Sequence, residues 1–219
     1  DFCLSRGLGD VYKRQALQFT RSPYGIMSHF AESGLPQHPK TLHQIENILS
    51  MCDKFHSSHR SFSNSNAIKN SLLGSLETHV RPGISLYTGL SSDQSVFDWK
   101  TQILQLQDLK KGDSVGYSFT YTASQNKKIA ILGAGYADGI PRSLSNNGYF
   151  WLNGTKVPIL GTVCMDLTAI DVSDLSAKKG DEVSLIRAGS DLKNINQFSG
   201  MIDYELLTGL SPRNERFIR

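Results

Sequence analysis

The chain has no long apolar run. No stretch approaches the ~18 residues of a membrane-spanning helix, so no segment reads as a transmembrane span. Cysteine is scarce too: Cys3, Cys52 and Cys164 are an odd set without paired spacing. That excludes a disulfide framework and fits a reducing compartment, with a cytoplasmic location expected. Charge is nearly balanced, with 23 Lys and Arg against 20 Asp and Glu. No basic stripe with interleaved aromatics stands out, so neither a nucleic-acid nor a membrane partner is expected. His56 and His59 form an H-x-x-H pair, but no carboxylate or third ligand accompanies them, and no metal site is expected.

What remains is an ordinary globular composition, 39% hydrophobic and 20% charged over 219 residues. That length suffices for one large domain or two modest ones. Residues 1–15 (DFCLSRGLGDVYKRQ) show no helical or strand periodicity and no apolar core of a signal peptide. They read as a non-native or disordered leader.

From Leu17 to Tyr87 short apolar runs alternate with helical patterns. Tyr24–Phe30 has the length of a strand. Thr41–Phe55 carries Leu42, Ile45, Leu49 and Cys52 at helical spacing, which predicts an amphipathic helix buried along that stripe. Ser61–Asn66 reads as a polar turn, Ala67–Leu73 as a short helix and His79–Leu86 as a strand. Strands alternating with helices imply parallel pairing, but about two units fit, too few to close a (β/α)8 barrel.

Gly89–Lys100 is a polar connector, and beyond it the pattern changes. Strands are expected at Gln102–Leu106, Ser114–Thr122, Lys128–Leu132, Tyr149–Leu152, Lys156–Val163, Ala169–Val172 and Glu182–Ile186. Asn153-Gly154 is a two-residue hairpin signal, since both residues tolerate positive φ. Lys-Lys-Gly-Asp occurs at Lys110–Asp113 and again at Lys178–Asp181, each time as a polar turn before a strand. A short helix, Asp203–Gly209, precedes a basic tail. This half is mostly antiparallel β, a barrel or a sandwich.

Among the residues that could carry chemistry, Tyr136 stands first, in Gly135-Tyr136-Ala137-Asp138-Gly139 just after an apolar run. A phenol is a poor base at neutral pH unless cations or donors surround it. On the residues alone, packing and proton transfer both stay open for it. His29 in Ser28-His29-Phe30-Ala31 and Arg81 in Arg81-Pro82-Gly83-Ile84 read alike as core histidine and surface arginine or as site residues. Asn64-Ser65 before a helix is an N-cap signal and equally a phosphate-binding one. Val163-Cys164-Met165-Asp166 reads as core filling or as a site lining.

These segments, in this order, resemble alanine racemase, the pyridoxal-phosphate enzyme that interconverts L- and D-alanine in peptidoglycan precursor supply. The resemblance covers residues 17 to 219 and is strongest from Arg81 to Ile186. It implies the last units of a (β/α)8 barrel over residues 16–97, linker included, followed by a C-terminal antiparallel β domain over residues 98–219. It implies that Tyr136 is one of two acid-base groups, with a lysine on the opposite face of the substrate α-carbon. By the same resemblance His29 links the tyrosine to an arginine, and Arg81 faces the pyridine nitrogen of pyridoxal 5'-phosphate. Ser65, Gly83 and Ile84 would bind the cofactor phosphate. Cys164, Met165 and Asp166 would line the substrate site near its carboxylate. The family's head-to-tail homodimer would place His29, Arg81 and Ser65 at one site and Tyr136 and Met165 at the neighbour's.

Three departures stand out. Ser61 and Asn66 replace the histidine and alanine of the family's His-x-x-Asn-Ser-Ala, and Pro212 stands where many members carry the tyrosine of Ser-Tyr-Arg. No lysine between residues 16 and 88 sits in the family's apolar-Lys-Ala-Asn-Ala-Tyr context. The chain by itself is therefore expected to be inactive. A broad-specificity racemase, a related pyridoxal-phosphate decarboxylase and a non-catalytic β module remain the alternatives.

Overall fold

The computed structural model describes residues 24–88, 96–187 and 191–217. The leader expected over residues 1–15 and most of the connector lie outside them. Chain contacts divide the protein into two units, one up to Ser91 and one from Ser92.

In the first unit β1 (Gly25–Met27) pairs in parallel with β2 (His59–Ser61), and Ser61 makes a further parallel bridge to His79. Helix α1 (Pro39–Lys54) connects the two strands, so the parallel pairing expected from the alternation is present. Proline at its first position and the His38 ring, which accepts from Lys40 N, start this helix. Its buried stripe differs from the expected one. Thr41, Ile48 and Cys52 are buried, whereas Leu42 and Leu49 are exposed. Two apolar stripes one residue apart share Ile45 and Cys52, and periodicity cannot say which one meets a partner. The core that decides it gathers Phe30, Ile48, Cys52, Phe62 and Ala67. Phe62 is thus a core residue inside a segment read as a polar turn. Burial pushes the Cys52 thiol above its ordinary pKa, so it packs here as a small hydrophobe.

Helix α2 (Ser65–Lys69) is capped by Asn64, whose side chain accepts from Ala67 N. The strand expected over His79–Leu86 is not formed. Only His79 bridges, and Ser85–Thr88 is the short helix α3. Pro82 has no N–H to offer a ladder, and Leu86 N turns back onto Gly83 O.

The second unit is a closed antiparallel barrel in the order β10-β3-β6-β9-β8-β7. Its strands are β3 (Trp99–Leu109), β6 (Lys127–Leu132), β7 (Tyr149–Leu152), β8 (Thr155–Leu160), β9 (Thr168–Asp171) and β10 (Glu182–Ile186). Alternation fills the interior, with Phe150 and Leu152 from β7 and Val157 and Ile159 from β8 meeting Ile103, Leu132, Ile170 and Val183. Asn153 and Gly154 join β7 to β8 as a two-residue hairpin with φ of 49° and 80°. Both Lys-Lys-Gly-Asp turns close in the same way, with the Asp113 and Asp181 carboxylates accepting from Lys110 N and Lys178 N.

The strand expected over Ser114–Thr122 is broken. It forms β4 (Ser114–Val115) and β5 (Tyr121–Thr122) around a turn in which Gly116, Ser118 and Phe119 have positive φ. This ribbon covers the outer face of β6, so Val115 packs with Ile129, Leu160 and Ala169. Strand β8 stops at Leu160 because Gly161 turns to a φ of 75° against the Val115 carbonyl. A helix that the sequence pattern left unassigned, α4 (Asp191–Ser199), buries Leu192 and Ile195, and α5 (Asp203–Gly209) buries Leu206.

Candidate functional site

Two constellations hold the candidate residues, one in each unit. In the first unit Arg81 ties the ends of both parallel strands together. Its Nη1 donates to Ser61 O at 2.8 Å and to Ser61 Oγ at 2.6 Å. Its Nη2 donates to Ser28 O at 2.5 Å and meets His29 Nδ1 at 3.4 Å. Four of the five guanidinium donors are thereby engaged. Nε–H is left without a partner among the described residues.

His29 has a second neighbour, Asn64 Nδ2, at 3.5 Å from its Nε2. The Asn64 oxygen accepts from Ser33 Oγ and Ala67 N, so its amide nitrogen must face the ring. A neutral imidazole accepts at one nitrogen only. Both neighbours offer donors, so the ring makes one of these bonds in each tautomer, and the tautomer with its proton on Nε2 is the one that accepts from Arg81 at the shorter contact.

Ser65 gathers the other candidates of this unit. Its Oγ accepts from Gly83 N at 3.0 Å and Ser85 N at 3.2 Å, and lies 3.1 Å from Ser85 Oγ. Ser65 is itself buried, and Ile84 lies between its two backbone partners. The cluster is made wholly of N–H and hydroxyl groups, the donor set of an anion site. Sequence reading missed the residue that shapes its approach. The Glu77 carboxylate accepts from Phe62 N at 2.8 Å and Ser63 N at 2.7 Å, and from Ser63 Oγ. It fixes the peptide leading into Asn64 and Ser65, and no local motif around Glu77 announces this.

In the second unit Tyr136 opens a single 310 turn, Tyr136–Asp138, four residues beyond the end of β6. Its side chain is 43% exposed and Met165 is 53% exposed, so both face outward rather than fill the barrel. The two loops are stitched together: Tyr136 N donates to Cys164 O and Ala137 N to Met165 O, both at 2.9 Å. Gly135 makes this possible, because a Cβ there would run into the Cys164 and Met165 carbonyl oxygens. Cys164 is half-buried with its Sγ toward Thr162 O.

Asp138 turns its carboxylate back on the loop, accepting from Gly135 N at 2.7 Å, and pairs with Arg213 Nε at 2.7 Å. Burial pushes this carboxyl up, but the Arg213 and Gly135 hydrogen bonds outweigh it and hold the group below the usual carboxylate range. Asp166 pairs with Arg213 Nη2 at 2.6 Å. Asp138 and Arg213 were not among the residues singled out from the sequence. The signal available was Asp138 three residues after Gly135, the spacing of a cap.

Parallel strands thus carry a guanidinium–imidazole pair and a donor cluster at their ends, and a closed β barrel carries a phenol at its rim. The chain belongs to the alanine racemase family. The model of the alanine racemase C-terminal domain matches residues 96–218, and that of the N-terminal domain matches residues 9–91. The chain is 36% identical over 203 residues to the catabolic alanine racemase of Agrobacterium fabrum, covering 87% of this chain and 51% of that protein. It is 38% identical over 213 residues to the alanine racemase of Rickettsia canadensis, covering 94% of this chain and 57% of that protein. The crystal structure of alanine racemase from Bartonella henselae with covalently bound pyridoxal phosphate superposes with a TM-score of 0.83 at 31% identity, covering 97% of this chain and 61% of that one. The biosynthetic alanine racemase of Pseudomonas aeruginosa gives 0.80 at 29% identity, covering 93% and 60% of the two chains. The chain thus spans about half the length of the curated relatives it matches.

Proposed function

We propose that these residues are the C-terminal part of an alanine racemase that interconverts L- and D-alanine with pyridoxal 5'-phosphate, supplying peptidoglycan precursors. Residues 16–97 would be the last units of its (β/α)8 barrel with a linker, and residues 98–219 its β domain. The observation that carries the reading is the donor set of Arg81. Its two Nη groups are spent on Ser28, His29 and Ser61, and Nε–H is left for an acceptor such as a pyridine nitrogen.

The residues present fit the cofactor. The donors gathered on Ser65, from Gly83 and Ser85, suit a phosphate, and the intervening Ile84 would add its backbone N–H. Pyridoxal phosphate, when bound, supplies an electron-withdrawing system that makes the substrate α-proton removable. Arg81, which does not give up a proton, would hold the cofactor's ring nitrogen by hydrogen bonding without protonating it, which would limit delocalisation and side reactions. In the tautomer that accepts from Arg81 at Nδ1, His29 can donate from Nε2 to a phenol oxygen. Tyr136 takes or returns the α-proton at its Oη, while Cys164, Met165 and Asp166 line the substrate near its carboxylate. In a head-to-tail homodimer His29, Arg81 and Ser65 serve one site and Tyr136 and Met165 the neighbour's.

Racemisation needs a second base on the opposite face. Lys40 and Lys54 stand on α1 and Lys69 on α2, none in the context that would provide it. The isolated chain is therefore inactive. A pyridoxal-phosphate decarboxylase is the weaker reading, since it needs a carboxylate where Arg81 stands.

Two measurements test this. Tyr136→Phe in the catalytically competent protein should lower racemisation by ~10²–10⁴-fold, and the 219-residue chain with added pyridoxal phosphate should racemise nothing. Turnover by the isolated chain, or full activity of Tyr136→Phe, would sink the reading.

A further inference from the structure

One side chain from the C-terminal segment reaches both loops of the Tyr136 constellation. Arg213 donates from Nε to Asp138 Oδ1 and from Nη2 to Asp166 Oδ1. Around it the same segment adds Ser211 N and Asn214 Nδ2, both donating to Asp138 O, at 3.1 Å and 2.8 Å. The two carboxylates are unequal. The Asp166 side chain is 57% exposed, and a pair in that setting is solvated and weak. The Asp138 side chain is 13% exposed, and Oδ1 faces Arg213 while Oδ2 faces Gly135 N. Loss of Arg213 would leave a mostly buried carboxylate with a single donor and two acidic groups without their shared counter-ion.

The 310 turn from Tyr136 to Asp138 is short, so a change at Asp138 is felt directly at Tyr136. The two backbone bonds that stitch Tyr136 and Ala137 to Cys164 and Met165 have no regular ladder to support them. We propose that Arg213 is a positioning residue for Tyr136: its planar fork pins Asp138 and Asp166 together and so fixes the phenol relative to Met165. A lysine carries the charge but not two donors in a fixed geometry, so charge alone does not replace it. Pro212, where the resemblance implies a tyrosine, leaves this link intact, because the link is made by Arg213 and by the backbone of Ser211.

The catalytic consequence rests on the racemase reading; the structural one does not. In the 219-residue chain, hydrogen exchange should be at least tenfold faster at the Tyr136 and Ala137 amides in Arg213→Gln, and intermediate in Arg213→Lys, with β6 and β8 amides unchanged. Unchanged exchange at Tyr136 and Ala137, or a uniform rise across the barrel strands, overturns the proposal. In the catalytically competent protein, Arg213→Lys should raise the α-deuterium isotope effect in the direction in which Tyr136 removes the proton and leave the other direction as it was. Equal changes in both directions overturn it. If the 219-residue variants exchange as described but the full-length protein does not racemise alanine, the racemase reading falls and the role of Arg213 stands.

Discussion

Arg81 and His29 meet through Nη2 and Nδ1 at 3.4 Å, a contact that becomes a hydrogen bond in the tautomer with the ring proton on Nε2. A guanidinium has no acceptor, so Nδ1 makes this bond only as the acceptor. Nitrogen-15 spectra of the histidine ring should show His29 as the Nε2–H form. In Arg81→Lys, which cannot reach Ser28, His29 and Ser61 together, the ring should sample both tautomers. A ring that is Nδ1–H in the wild type contradicts this expectation.

Ser65→Ala removes the acceptor on which Gly83 N and Ser85 N converge. Pyridoxal-phosphate affinity, read by calorimetry, should fall by at least tenfold, about 1.4 kcal/mol. An unchanged affinity would show that the phosphate lies elsewhere.

Gly135→Ala sets a methyl group against the carbonyl oxygens of Cys164 and Met165. Overpacking of this kind costs roughly 1–3 kcal/mol. Denaturant melts should show that loss, and the Tyr136–Cys164 and Ala137–Met165 backbone bonds should open with it. Wild-type stability would mean that the loops separate freely.

Lys127 and Asp171 pair across β6 and β9 at 2.5 Å, with side chains 17% and 15% exposed. Burial pushes the Asp171 carboxyl up, but the Lys127 and Ser173 hydrogen bonds outweigh it and hold it below the usual range. The folded value is therefore lower than the unfolded one, and the stabilisation is complete above the unfolded pKa of ~3.9 and lost as pH falls below it. Asp171→Asn should cost about 1–2 kcal/mol at neutral pH and flatten the acid limb of the stability curve. An unaltered acid limb refutes the assignment.

Leu152→Ala empties a fully buried site inside the barrel, between β7 and its neighbours. Chemical denaturation should report a loss of about 2–5 kcal/mol.

Local chemistry made much of this protein legible from its sequence. Strands β7 and β10 and helix α5 have the bounds that alternation and periodicity predict. Asn153-Gly154 folds as its tolerance of positive φ requires. The motifs around His29, Ser65, Arg81, Tyr136 and Met165 give the family, since each has a fixed local spacing. Where the sequence misled, a distant partner made the choice. Leu42 and Leu49 are as apolar as Ile48, but the core formed by Phe30 and Phe62 takes the other stripe. The run Ser114–Thr122 alternates like a strand, yet it bends at Gly116 to cover β6.

The sequence by itself therefore determined strands β7 and β10, helix α5, the Asn153-Gly154 hairpin and the motifs that give the family. Only the tertiary structure decided how those residues are held. The His29 ring is met at Nδ1 by Arg81, 52 residues away. The turn bearing Tyr136 is clamped by Arg213, whose partner Asp138 lies 75 residues earlier. Propensity and periodicity act over a few residues, whereas the hydrogen bonds that fix a side chain's orientation form between groups that only the closed fold brings within 3 Å or so of each other.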